Sequence, residues 1–146
     1  MALSVNTNYL TDRLETQIDW YSTKATNNKF GFHLLQIMVL IVGATIPIVN
    51  IVDFAPLETR LISSVLGSVT VTVTGIIQLK KYHENWIMYR STEEALKKEK
   101  YTYQNEVGEY SGLTPDERLK RLVENVESII SNQNVVYFVT HERAKN

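Results

Sequence analysis

The sequence predicts an all-α membrane protein: a two-helix transmembrane hairpin with long cytosolic helical extensions and a C-terminal amphipathic helix. Three observations predict it. Leu34 to Val52 is a run of 19 residues without a charge or a histidine, and 14 of them are Ala, Val, Ile, Leu or Met. Leu61 to Leu79 is a second uncharged run of 19. The flanking segments are polar and carry apolar residues at helical spacing. At 1.5 Å per residue each run reaches roughly 28 Å, close to the ~30 Å hydrocarbon core of a bilayer.

The expected elements follow in order. Residues 8–29 read as a cytosolic helix, because Leu10, Leu14, Ile18, Tyr21 and Ala25 recur at three and four residues. It leads into a first membrane helix at 33–52, with a break near Gly31. Pro47 lies inside that helix, where membrane helices tolerate proline. Residues 53–60, with Pro56, form a short external loop. The second membrane helix spans 61–79.

Within it, Val69 to Thr74 alternates with period two, the pattern of a strand. A lone strand cannot satisfy its backbone in lipid. A helix accounts for the whole run. Ile62, Val65, Leu66, Val69, Val73, Ile76 and Ile77 share one side, and small or polar residues share the other. Only Val71 is misplaced. The polar side holds two stripes: Ser63, Gly67, Thr70 and Thr74, and Ser64, Ser68, Thr72 and Gly75, with Gln78 beyond. These are candidates for helix packing through small residues and hydroxyls, or for lining a water-filled path.

Residues 80–107 extend the second membrane helix without interruption. Tyr82, Trp86, Tyr89, Glu93, Leu96, Lys100 and Tyr103 form a seam that Glu93 and Lys100 interrupt. A turn follows at 107–112. Thr114-Pro115-Asp116-Glu117 is a capping box with proline at the first helical position, so a helix at 115–132 is expected. Its apolar stripe is Leu119, Leu122, Val123, Val126, Ile129 and Ile130. The tail, 133–146, includes the apolar Val135 to Val139 and is left open between strand and helix. Counting outward from the bilayer sets Lys29 level with Glu84, and Trp20 and Tyr21 near Ser91 to Glu93. Trp20, Tyr21, Lys29, Glu84, Asn85, Trp86 and Tyr89 are thus candidates for a stalk interface.

Charge sets orientation. Lys24 and Lys29 precede the first run, Lys80, Lys81 and Arg90 follow the second, and the loop has only Arg60 against Asp53 and Glu58. Both termini are therefore expected in the cytosol. The start of the chain lacks the features of a secretory signal.

The net charge of −1 gives no bulk case for nucleic acid, and the absence of cysteine removes disulfides and thiolate chemistry. His83-Glu84 begins like a zinc helix, but position 87 is Ile87. No catalytic residue, cofactor site or metal site is expected, and the chain does not read as an enzyme.

Three stretches carry a family likeness. The first is Tyr9-Leu10-Thr11-Asp12-Arg13-Leu14 with Gln17, Trp20-Tyr21, Lys24-Ala25 and Asn28-Lys29. The second runs from Lys81-Tyr82-His83-Glu84-Asn85-Trp86 through Ile87-Met88-Tyr89-Arg90-Ser91-Thr92, then Glu94, Leu96-Lys97, Glu99-Lys100, Tyr103, Gly108 and Tyr110. The third is Val123 to Ser131, with Asn134 after it. Together they resemble the bacterial SLATT superfamily of SMODS- and SLOG-associating two-transmembrane domains, in a branch of unknown function. Asn125 departs from the pattern, where a basic residue is expected. The resemblance implies a membrane effector that oligomerises and permeabilises the bacterial inner (cytoplasmic) membrane in a stress or anti-phage response. The partners expected are the lipid bilayer, further copies of the chain, with four or more needed for the second helices to enclose a path, and a cytosolic signalling partner. The alternative is a non-conducting anchor that recruits a cytosolic protein.

Overall fold

The computed structural model describes residues 9–52 and 56–142. The expected helix start at Asn8, residues 53–55 of the loop and the last four tail residues lie outside them. The described residues are helical, with no strand among them. Tyr9–Glu15 opens with wide π-type turns and leads into helix α1, Thr16–Ile51. Helix α2 is Pro56–Lys80, α3 is Tyr82–Gln104 and α4 is Pro115–Glu142. A short 3₁₀ turn, Gly108–Tyr110, lies between the last two.

Four boundaries differ from the sequence reading. Helix α1 runs through Gly31, where a break was expected. Glycine costs a helix only about 1 kcal/mol relative to alanine, and no proline accompanies it. Its lack of a side chain instead admits the Tyr82 ring, whose Cε1 would stand 3.3 Å from an added Cβ.

Helix α2 starts at Pro56 rather than Leu61. Proline suits a first turn, since its missing N–H has no intrahelical partner there and its φ is preset.

The expected uninterrupted extension to Val107 is broken at Lys81, which has φ 48°. The left-handed region costs a side-chain-bearing residue roughly 1–2 kcal/mol. Asn85 Nδ2 donates to the Lys80 carbonyl at 3.0 Å and satisfies a group that the break leaves without its helical donor. The far end of α3 is a Schellman-type stop: Glu106 has φ 55°, and Val107 N–H donates to Thr102 O at 3.2 Å.

Helix α4 continues ten residues past Asn132, so most of the expected tail is helix. Its start is the capping box: Thr114 N–H donates to Glu117 Oε2 at 2.9 Å, and Glu117 N–H reaches Thr114 Oγ1 at 3.4 Å. Thr114→Ala is expected to cost about 1 kcal/mol. Chemical denaturation of the full chain in detergent would measure it, and an unchanged midpoint would contradict the cap's role.

The described residues fall into two compact units, one of residues up to 25 and from 87 onward, the other of residues 26–86. The first is a bundle of the start of α1 with α3 and α4. Its core is Leu14, Ile18, Tyr21, Leu96, Tyr110, Leu122, Val126 and Ile130. All but Tyr110, which comes from the turn between α3 and α4, are inward positions of the periodic stripes read from the sequence. Burying each aliphatic side chain contributes roughly 1.5–3 kcal/mol.

The second unit is built differently. It holds the apolar stretches of α1 and α2, which are long and apolar enough to cross a membrane, and none of the residues in either stretch is buried. A core helix of a soluble protein would be covered. Here Ile48, Val65, Val71 and Leu79 are 58%, 61%, 73% and 85% exposed. Such surfaces match a hydrocarbon solvent rather than water.

Candidate functional site

The polar side of α2 separates into two environments. Ser63, Gly67, Thr70 and Thr74 are half-buried, as is Gly75, whereas Ser64, Ser68, Thr72 and Gln78 are exposed. The helical period explains the split, because the two stripes are offset by about one residue, or ~100°. Sequence periodicity delivered both stripes but could not assign either to an environment.

Most of these hydroxyls bond back along their own helix. Ser68 Oγ donates to Ser64 O at 2.9 Å and Thr70 Oγ1 to Leu66 O at 2.9 Å. Thr72 Oγ1 reaches Ser68 O and Thr74 Oγ1 reaches Thr70 O, both at 2.8 Å. In α1, Thr45 Oγ1 donates to Ile41 O at 2.8 Å and Asn50 Nδ2 to Ile46 O at 2.7 Å. Each bond uses the proton that would be costliest to leave unpaired in lipid and keeps acceptor lone pairs on the outer surface. Ser63 Oγ is buried and has no partner among the described residues. The glycines of α2 are uncrowded, since a Cβ at Gly67 or Gly75 would meet nothing within 4 Å.

The candidate stalk residues fall into two groups. In the bundle, Trp20 packs edge-on against Tyr21 at 4.9 Å and Tyr89 at 5.8 Å between ring centroids. Tyr21 Oη donates to Gln133 Oε1 of α4 at 2.9 Å. In the other unit, Lys29 Nζ stands 5.5 Å over the Trp86 ring. His33 and His83 flank the same ring at 5.8 and 5.6 Å. Asn85 caps Lys80, and Glu84 is exposed outside these contacts. Lys29 therefore meets Trp86, two residues beyond the expected Glu84.

The bundle has polar register contacts of its own. Lys100 Nζ donates to Glu15 Oε1 at 2.6 Å, and Ser22 hydrogen-bonds Glu93. Glu15, at the end of the π-type turns, and Ser22 on α1 are seven residues apart, as are Glu93 and Lys100 on α3. The two residues that interrupt the apolar seam are thus its polar register pins. The sequence signal for this was the heptad position of Glu93 and Lys100.

Glu93 is 1% exposed and takes Lys97 Nζ at 2.6 Å and Arg90 Nη1 at 2.9 Å. Burial raises its pKa. The Lys97 hydrogen bond, the two cationic charges and the Ser22 hydroxyl outweigh that, and its carboxyl titrates below the ordinary range. Arg13 holds Glu127 with two hydrogen bonds of 3.0 Å, which likewise depresses the Glu127 carboxyl against the opposing effect of burial. Burial and the neighbouring Glu127 push the Tyr9 phenol up to about 12.

Both depressed carboxyls give stability that is full above the unfolded value of about 4.3 and is lost as pH falls through the lower folded values. The bundle is therefore expected to loosen below about pH 4, and Glu93→Gln is expected to flatten part of that acid dependence. Amide exchange across the acid range checks it. An identical acid profile in Glu93→Gln would contradict the assignment.

Asn125 donates to Glu99 Oε1 at 2.6 Å and to Tyr110 Oη at 3.3 Å, and Tyr110 Oη itself donates to Glu99. The amide thus supplies the donor that the expected basic residue would have given. Among the described residues, no group of three or more His, Cys, Asp or Glu side chains could hold a metal ion.

Taken together, the described residues form a helical bundle with an apolar core and two helices long and apolar enough to span a membrane. The family described as protein of unknown function, DUF4231, matches residues 16–118, and the chain belongs to it. The match covers α1, α2, α3 and the first turn of α4. No curated protein matches the chain. No solved structure matches it.

Proposed function

We propose that this protein is a homo-oligomeric channel or pore-forming effector of the bacterial cytoplasmic membrane, with both termini in the cytosol. The single observation that carries the reading is the exposed stripe of α2. Ser64, Ser68, Thr72 and Gln78 lie uncovered, whereas the neighbouring stripe of Ser63, Gly67, Thr70 and Thr74 is half-buried and the far side of the helix is apolar. In an oligomer of four or more copies this stripe surrounds the axis. The hydroxyls offer acceptor lone pairs to water and cations, and Gln78 adds an amide at the cytosolic end. With no charged ring between Leu61 and Leu79, selectivity is expected to be weak. The uncrowded Gly67 and Gly75 leave room for a neighbouring copy. The resemblance to the SLATT superfamily supports a role in a stress or anti-phage response.

A second reading has its own observation. The hydroxyls that bond back along the helix satisfy their donors without water, so the stripe is tolerable in a dry seam. On that reading the hairpin is a non-conducting anchor and the bundle recruits a cytosolic signalling partner. Reconstitution of the purified chain into potassium-loaded vesicles separates the two. Protein-dependent potassium release supports the channel. Vesicles that stay tight at every protein-to-lipid ratio would reject it and favour the anchor.

A further inference from the structure

Four rings meet in a closed cycle at one end of the apolar unit. Phe32 and His33 come from α1, and His83 and Trp86 from the start of α3. Ring centroids are 5.6 Å apart for Phe32 and His33, 5.8 Å for His33 and Trp86, 5.6 Å for His83 and Trp86, and 5.0 Å for Phe32 and His83. Lys29 Nζ stands 5.5 Å over the Trp86 ring. Trp86 is half-buried, whereas Lys29, His33 and His83 are exposed. All five residues belong to the unit of residues 26–86. Two local features shape this end. Gly31 leaves room for the Tyr82 ring, and the left-handed Lys81 redirects the chain just before His83. Strain held by a side-chain-bearing residue gathers at functional sites.

On the membrane reading, this end lies in the headgroup layer. His33 and Lys29 precede Leu34, the first residue of the first apolar run, by one and five residues. Those separations are about 1.5 and 7.5 Å along a helix. The headgroup layer occupies roughly 5–8 Å outside the hydrocarbon core. His83 and Trp86 are held at the same level by their ring contacts with Phe32 and His33. Residues 26–33 and 80–86 carry three lysines and two histidines against one acid, Glu84. A tryptophan suits this layer whatever the headgroup. An ammonium and two imidazoles around that ring suit an anionic one.

We propose that Lys29, His33 and His83 hold the phosphate of an anionic phospholipid against Trp86. The proposal rests on the membrane reading of α1 and α2. The lysine supplies charge, and each imidazole has an N–H to donate even when neutral. A lipid phosphate fits better than a free one, because the acyl chains meet apolar surface directly below. Leu34, Ile37 and Ile41 follow His33 on one helical face and are 47%, 54% and 62% exposed.

Trp20→Phe leaves Trp86 as the single tryptophan of the two in the chain. In this background the full chain is placed in phosphatidylcholine vesicles. They carry a minor fraction of brominated phosphatidylglycerol or brominated phosphatidylcholine, with the bromines near the carbonyl end of the acyl chains. Phosphatidylglycerol is expected to quench Trp86 at about fivefold lower mole fraction, the factor that one lysine near an anionic surface supplies. Lys29→Gln should remove most of that preference, and His33→Leu with His83→Leu should lower it. Lys80→Gln, which removes the same charge at the same end, should keep most of it. No preference in the parent, with both lipids quenching, would overturn the headgroup site alone. Equal losses in Lys29→Gln and Lys80→Gln would overturn it in favour of diffuse surface charge. A preference abolished by inorganic phosphate, but not by chloride at equal ionic strength, would overturn it in favour of free phosphate. A chain that carbonate washes from the vesicles would overturn the membrane reading, and this proposal with it.

Discussion

Ser68→Leu and Thr72→Leu are each expected to lower ion flux through reconstituted protein by about tenfold or more, because an added isobutyl group narrows and dewets a hydroxyl-lined path. Both residues are exposed on α2, so neither change displaces a neighbour within the chain. Both lie in a run that leucine only makes more apolar, so insertion should be retained. Thr70→Leu provides the contrast. Thr70 is half-buried on the other stripe, and its replacement should disturb helix packing before it disturbs the path. Vesicle flux, with carbonate extraction to verify insertion, reads all three. Full flux in both Ser68→Leu and Thr72→Leu would remove these residues from the lining.

Leu122→Ala is expected to be the most damaging single change in the bundle. Leu122 is 0% exposed within a core built from three helices. Truncating a leucine in such a place costs roughly 2–5 kcal/mol, from lost burial and the cavity left behind. Amide exchange in α4 should accelerate by about a hundredfold or more, while an exposed control, Lys120→Ala, should stay within about 0.5 kcal/mol of the parent. Equal exchange in the two variants would show that α4 is not held by this core.

How much of this was legible in the sequence depends on how far apart the deciding residues lie. The uncharged runs, the capping box at Thr114 and the stripe through Leu122 and Val126 are local, and each was readable within a few turns. The break at Lys81 was not readable, because nothing in a lysine codon announces a left-handed residue and its stabilising partner is an asparagine four positions on. Gly31 looked like a breaker, since its actual role, receiving the Tyr82 ring, depends on a residue 51 positions away. Glu93 and Lys100 looked like defects in a seam for the same reason, since Ser22 and Glu15, which they meet, lie 71 and 85 positions away. The candidate site was half legible. Periodicity separated the two polar stripes of α2, but their environments depend on what lies beside the helix. The activity was least legible, because hydroxyls and small residues serve both packing and conduction.

Native mass spectrometry of the full chain released from nanodiscs tests the central claim most directly. The account predicts a closed assembly of four or more copies, enough to place Ser64, Ser68, Thr72 and Gln78 around a common axis. A monomer or dimer would contradict it, leaving the exposed stripe of α2 with no path to enclose.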